Sequence, residues 1–214
     1  MSRRLAAGMA AILLCVGLAG CTADEAPPEE DAAPLIVPGR PGEEAKVVPG
    51  EQAGDYQEVV QPNAADFQYM TMMIPHHQQA LTMTDLVPDR AASDQLKNLA
   101  DRMAASQEAE IRVMESWLQQ NRDSEAAEGG HGEHQHGLMP GMATEEQLEE
   151  LRNAKGAEFD RLFLQLMITH HEGALTMAEE HLVSGIETRA VEMAQEIITG
   201  QTDEIGHMRT MLGT

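Results

Sequence analysis

Thiols are nearly absent from this sequence. Its two cysteines, Cys15 and Cys21, both fall in the first stretch, so the folded part has no disulfide and must be stabilised by packing. Aromatic residues are scarce as well, at 3% of the chain, whereas methionine numbers 15, which suits a core whose gaps are filled by flexible thioethers. Basic residues number 14 against 36 acidic ones, a formal charge of −22. That balance argues against nucleic acid as a partner, and an anionic membrane surface would repel the chain. The apolar run from Leu5 to Leu18 falls short of the ~20 residues needed to cross a bilayer. Beyond it no stretch alternates with the period of two that marks a strand, which leaves an all-α fold.

The first twenty residues read as an export signal: Arg3 and Arg4 precede the apolar run, and small residues close it. The closing Leu18-Ala19-Gly20-Cys21 resembles a bacterial lipobox, which implies cleavage before Cys21, a lipid on its sulfur and an extracytoplasmic protein anchored to the membrane. Removing Arg3 and Arg4 leaves a net −24 on the mature chain. Residues 21–61 are rich in Pro, Gly, Ala, Asp and Glu and poor in large apolar residues, the composition of a disordered acidic tether. Residues 62–214 are expected to fold as one domain.

That domain carries one motif twice. Met73-Ile74-Pro75-His76-His77 returns 94 positions later as Met167-Ile168-Thr169-His170-His171, and the offset holds for Asp66 and Asp160, Met83 and Met177, Gln107 and Gln201, Glu110 and Glu204, and Met114 and Met208. An internal duplication of this kind places the working residues in pairs.

Apolar residues recur at helical spacing and predict helices over 63–86, 89–120, 144–183 and 185–212. Thr144 with Gln147 and Ser184 with Glu187 fit capping boxes, while Pro88 and Val183-Ser184-Gly185 mark the two hairpin turns. Two similar hairpins, each with one apolar face, bury those faces against each other. The expected architecture is an antiparallel four-helix bundle with a pseudo-two-fold axis and a His/Met-rich loop at 121–143. Pro75 should kink the first helix alone, since Thr169 holds the equivalent place in the second half.

At about 100° per residue, His77 is centred on the apolar stripe of the first helix with Met70, Met73 and Asp66, and His76 falls at its edge near Met83. By the repeat, His171 is central with Asp160, and His170 marginal with Met177. Glu110 shares a face with Gln107 and Met114, and Glu204 with Gln201 and Met208. An inner set of His77, His171, Asp66, Asp160, Glu110 and Glu204 is thereby aimed into the core. Such groups are costly to bury unless paired or bound to metal, so a hydrogen-bonded network and a metal site both stay open. Imidazole and thioether without thiolate favour copper, with His76, His170, Met83 and Met177 as edge ligands and Met114 and Met208 beside the inner carboxylates. His131, His134 and His136, in the loop ending Met139-Pro140-Gly141-Met142, have the composition of a metal-capturing segment.

The two copies resemble the domain of unknown function 305, whose exported bacterial proteins share D-x(6)-M-[IV]-x-H-H-x-x-A-x-x-M followed by Q-x-x-E-I-x-x-M. The resemblance implies a ferritin-like four-helix bundle outside the cytoplasmic membrane, copper handling in some members and no established enzyme activity. Ferritin-like di-iron enzymes use paired E-x-x-H motifs. Here Glu204 and His207 fit that motif, but Val113 stands at the aligned position of the first half. Three functions stay open: a copper-binding buffer or chaperone, a redox metalloenzyme using the inner set, and a metal-free structural or interaction module.

Overall fold

A computed structural model describes residues 33–37, 44–56, 60–129 and 139–213. The signal segment, Cys21, His131, His134 and His136 lie outside these residues. The chain divides into two compact units, residues 1–58 and 59–214. In the first, β1 (Leu35–Val37) pairs antiparallel with β2 (Lys46–Val48), Leu35 opposite Val48, and a 3-10 helix follows over Gly50–Tyr56. The part of the expected tether that is described therefore carries local structure.

The second unit is all helix. Its first helix, α1 (Ala64–Thr84), begins at a capping box in which Asn63 accepts from the Asp66 amide and Asp66 accepts from the Asn63 amide; Pro75 lies inside the helix. A short helix, α2 (Val87–Arg90), with Pro88 in its first turn, leads to Ser93, which caps α3 (Asp94–Gln120). A further short helix, α4, spans Glu125–Gly129. Beyond the loop come α5 (Glu145–Asn153), α6 (Ala157–Ser184) and α7 (Thr188–Leu212). No helix among the described residues is long and apolar enough to cross a membrane.

Two sequence expectations need correction. The helix expected over 144–183 is broken at Ala154–Gly156, because Gly156 has φ +65° and its N–H donates to the Arg90 carbonyl at 2.7 Å, docking the break onto the end of α2. The Thr144–Gln147 capping box forms as expected. Ser184, however, ends α6, and it is Glu187 whose carboxylate caps α7 through the amides of Arg189 and Ala190.

Helices α1 and α3 form one hairpin and α6 and α7 the other, with α1 against α6 as the main seam between them. The seam is antiparallel, since Asn63 at the start of α1 donates to the Ser184 carbonyl at the end of α6 at 2.7 Å. Two apolar cores result. One gathers Met83, Leu99, Met103, Phe159, Phe163 and Met208; the other gathers Phe67, Met73, Met114, Trp117, Met177 and Met193. In sequence, the histidine pairs fall between the stretches of α1 and α6 that feed these two cores.

Candidate metal centre

Pairs of histidine on α1 and α6 meet at the seam. The His76 and His170 rings lie with centroids 3.9 Å apart at 40°, and each pair is splayed, with centroids 6.5 Å apart for His76 and His77 and 6.3 Å for His170 and His171. All four side chains are fully buried. His77 Nε2 lies 2.6 Å from Glu110 Oε2 and His171 Nε2 lies 2.7 Å from Glu204 Oε2, the same contact made once in each repeat. The two glutamates reach in from α3 and α7 while remaining about a quarter exposed, at 27% and 23%. Ser106 donates to the second oxygen of Glu110 at 3.0 Å.

The wheel assignment of His76 and His170 to an edge is overturned. A helix in a bundle touches two neighbours, so its buried arc is wider than one stripe. His170 turns into the seam, where its Nε2 donates to the His76 carbonyl at 3.0 Å. His76 is covered by a strap formed by residues 139–144, whose Pro140 carbonyl accepts from His76 Nε2 at 2.9 Å. Desolvation pushes the His76 imidazole down to about 4, against partial compensation by the Pro140 carbonyl, and holds His170 well below the ordinary range, so both rings are neutral.

The strap is held by residues that break the repeat. Gln79 makes a two-way amide pair with Ala143, donating to its carbonyl at 3.0 Å and accepting from its N–H at 2.7 Å. Its counterpart in the second copy is Gly173, and there the strap passes so close that a Cβ would collide with the Pro140 carbonyl. Gly141, at φ +75°, faces the same spot. One strap thus uses a long side chain in one repeat and a missing one in the other.

Asp66 and Asp160 leave the inner set. Asp66, fully buried, accepts from Asn63, Ile186 and Glu187 amides and from His181 Nε2 at 2.8 Å; Asp160 accepts from the Ala92 and Ser93 amides at 3.0 and 2.9 Å. Since Ile186 and Glu187 are the repeat equivalents of Ala92 and Ser93, each aspartate caps the other hairpin's turn and locks the two together. Among the described residues no three His, Cys, Asp or Glu side chains converge so as to hold an ion. His207 is exposed beside Gln95 and takes no part with Glu204.

The four candidate methionines divide evenly. Met83 and Met208 are buried in one core, and Met114 and Met177 in the other. Ring nitrogens are left over too: Nδ1 of His76, His77, His170 and His171 is buried without a partner, as are both amide atoms of Gln107 and Gln201. Imidazole nitrogens without donors, in an interior rich in thioethers, are the donor types that a soft metal ion takes.

Sequence reasoning missed the strap and His181. Gln79 against Gly173 was a readable mismatch between the copies, as was His181 against Val87. His181 stacks on Tyr69 with centroids 4.4 Å apart at 21°, and burial raises the Tyr69 hydroxyl above its usual range.

Comparison with known proteins bears on this centre. The model of a domain of unknown function (DUF305) matches residues 66–212. The crystal structure of a DUF305 protein from Streptomyces coelicolor superposes with a TM-score of 0.61 at 29% identity, covering 70% of this chain and 92% of that one. CopM in its Cu(I)-bound form superposes with a TM-score of 0.55 at 30% identity, covering 68% and 94%. CopM has also been solved in Cu(II)-bound and Ag-bound forms. Among curated sequences, the uncharacterized protein L153 of Acanthamoeba polyphaga mimivirus is 39% identical over 57 residues, a match that spans 27% of this chain and 38% of that protein.

Proposed function

Because the chain belongs to the domain of unknown function 305 family, as the match over residues 66–212 establishes, we propose that it is an extracytoplasmic copper-binding protein, a buffer or chaperone rather than an enzyme. The observation that carries this reading is the set of four buried histidines, each with a ring nitrogen that has no partner, flanked by methionine-rich cores in a folded part without thiols. Thioether favours Cu(I), and imidazole serves either oxidation state. The copper- and silver-bound states of CopM support the same choice of metal. His131, His134 and His136 would recruit metal, and Met83, Met114, Met177 and Met208 would supply sulfur beside the imidazoles. A redox centre built on the inner carboxylates is less well supported, since Asp66 and Asp160 are committed to capping and each glutamate holds one histidine.

The leader supports attachment to the membrane through a lipid on Cys21. Metal analysis of protein purified without a tag, after growth with copper and with iron, tests the reading. Stoichiometric copper is expected; tightly held iron or manganese in its place would overturn it.

A further inference from the structure

Each of the four imidazoles uses the same nitrogen for its hydrogen bond. Carbonyl oxygens can only accept, so the bonds from His76 to Pro140 and from His170 to the His76 carbonyl place the proton on Nε2. In His77 and His171 the same nitrogen faces a carboxylate oxygen, of Glu110 and Glu204 respectively. Nδ1 is then the nitrogen left over on all four rings, and on all four it is buried with no partner. Burying a polar atom without a partner is costly, and although His181 Nδ1 is orphaned as well, these four belong to rings that adjoin one another at the seam.

We infer that a soft metal ion bound here is ligated through Nδ1, and that Glu110, Glu204 and the carbonyls of Pro140 and His76 are positioning groups that fix the ring tautomer and orientation. Ligating histidines commonly donate their second nitrogen to a carboxylate or a backbone carbonyl, and that outer partner tunes affinity. Here the partners are already engaged before any metal arrives. The strap belongs to this arrangement, since the Gln79–Ala143 pair and the gap at Gly173 hold the Pro140 carbonyl over His76. The duplication supplies the carboxylate partner twice, whereas the two carbonyl partners are unlike, so the members of the His76–His170 pair are held by different parts of the chain.

The inference rests on the metal-binding reading but can fail separately from it. The experiment is long-range proton–nitrogen correlation NMR on the isotope-labelled, untagged mature protein, first metal-free and then with Ag(I), whose nuclear spin couples to the nitrogen it binds. Four Nε2–H tautomers are expected in the apo protein, and silver coupling is expected on Nδ1. Glu110→Ala should let His77 populate the other tautomer and weaken silver binding about 10–100-fold. Glu110→Gln, which keeps an acceptor oxygen, should retain the tautomer. Silver coupling on Nε2, or Nδ1–H rings in the apo protein, overturns the inference and leaves metal binding standing. Silver bound with no coupling to any of the four rings overturns both. The wild-type spectra decide the matter even where a variant fails to fold.

Discussion

Replacing Gly173 by alanine isolates the strap. The added Cβ would collide with the Pro140 carbonyl and lie 2.7 Å from Gly141 Cα, and since nonbonded carbon atoms settle at about 3.5–4.0 Å, the strap must move outward. Overpacking of this kind costs about 1–3 kcal/mol, and the lower end applies because a loop yields more readily than a helix. Moving Pro140 also stretches its 2.9 Å bond to His76, leaving a buried N–H unsatisfied at about 1–3 kcal/mol. Alanine recovers about 1 kcal/mol of helix propensity over glycine. The net expectation is a loss of about 1–3 kcal/mol, read as a lower urea midpoint at unchanged slope for the apo protein. Gly200→Ala is the control: that glycine is exposed in α7 with nothing near its Cβ, so the propensity gain should appear alone, as a stabilisation of up to about 1 kcal/mol. If Gly173→Ala matches or exceeds wild type in stability, the strap does not rest on α6 and the burial of His76 has been misassigned.

Acidification should weaken the apo fold. His76 takes its proton near pH 4 when folded and near 6.5 when unfolded, so the unfolded chain binds the proton first as pH falls. This contribution to stability is intact above about pH 6.5 and is lost toward pH 4, at about 1.4 kcal/mol per pH unit, with His170 acting in the same direction. Urea midpoints that stay level across that window would contradict it. Asp66→Ala strands four donors around a fully buried site and should cost about 3–5 kcal/mol, whereas Asp160→Ala frees two and should cost about 1–2 kcal/mol; equal losses would show that the capping roles differ from those described. Cys21→Ser should move the protein from the membrane fraction to the soluble fraction, and a variant that stays bound sinks the lipid anchor.

The bundle could be read from the chain because its signals are local or repeated. Helical periodicity locates the four long helices, Thr144 and Gln147 mark the start of α5, and the 94-residue offset pairs His77 with His171 and Glu110 with Glu204. What escaped depended on contacts between hairpins. A helical wheel treats one helix with one partner, so it set His76 and His170 at an edge that α6 and the strap in fact cover. It also turned Asp66 inward but could not show that the opposite hairpin would supply three of its four donors, His181 from α6 and Ile186 and Glu187 from the turn. Gly156 breaks a helix that periodicity ran straight through, because its positive φ matters only once α2 is packed beside it. The His/Met-rich loop read as a recruiting segment, yet its last part, residues 139–144, belongs to the packed fold.

We propose that copper sits inside the bundle, between the hairpins, on imidazole nitrogen and methionine sulfur. Anomalous scattering at the copper edge, from crystals of untagged protein loaded with Cu(I), locates the ion directly. A peak is expected at the seam of α1 and α6, within bonding distance of Nδ1 of a histidine from the His76–His77 or His170–His171 pairs and of a buried methionine sulfur. Stoichiometric copper found only on the protein surface, with the seam empty, would contradict it.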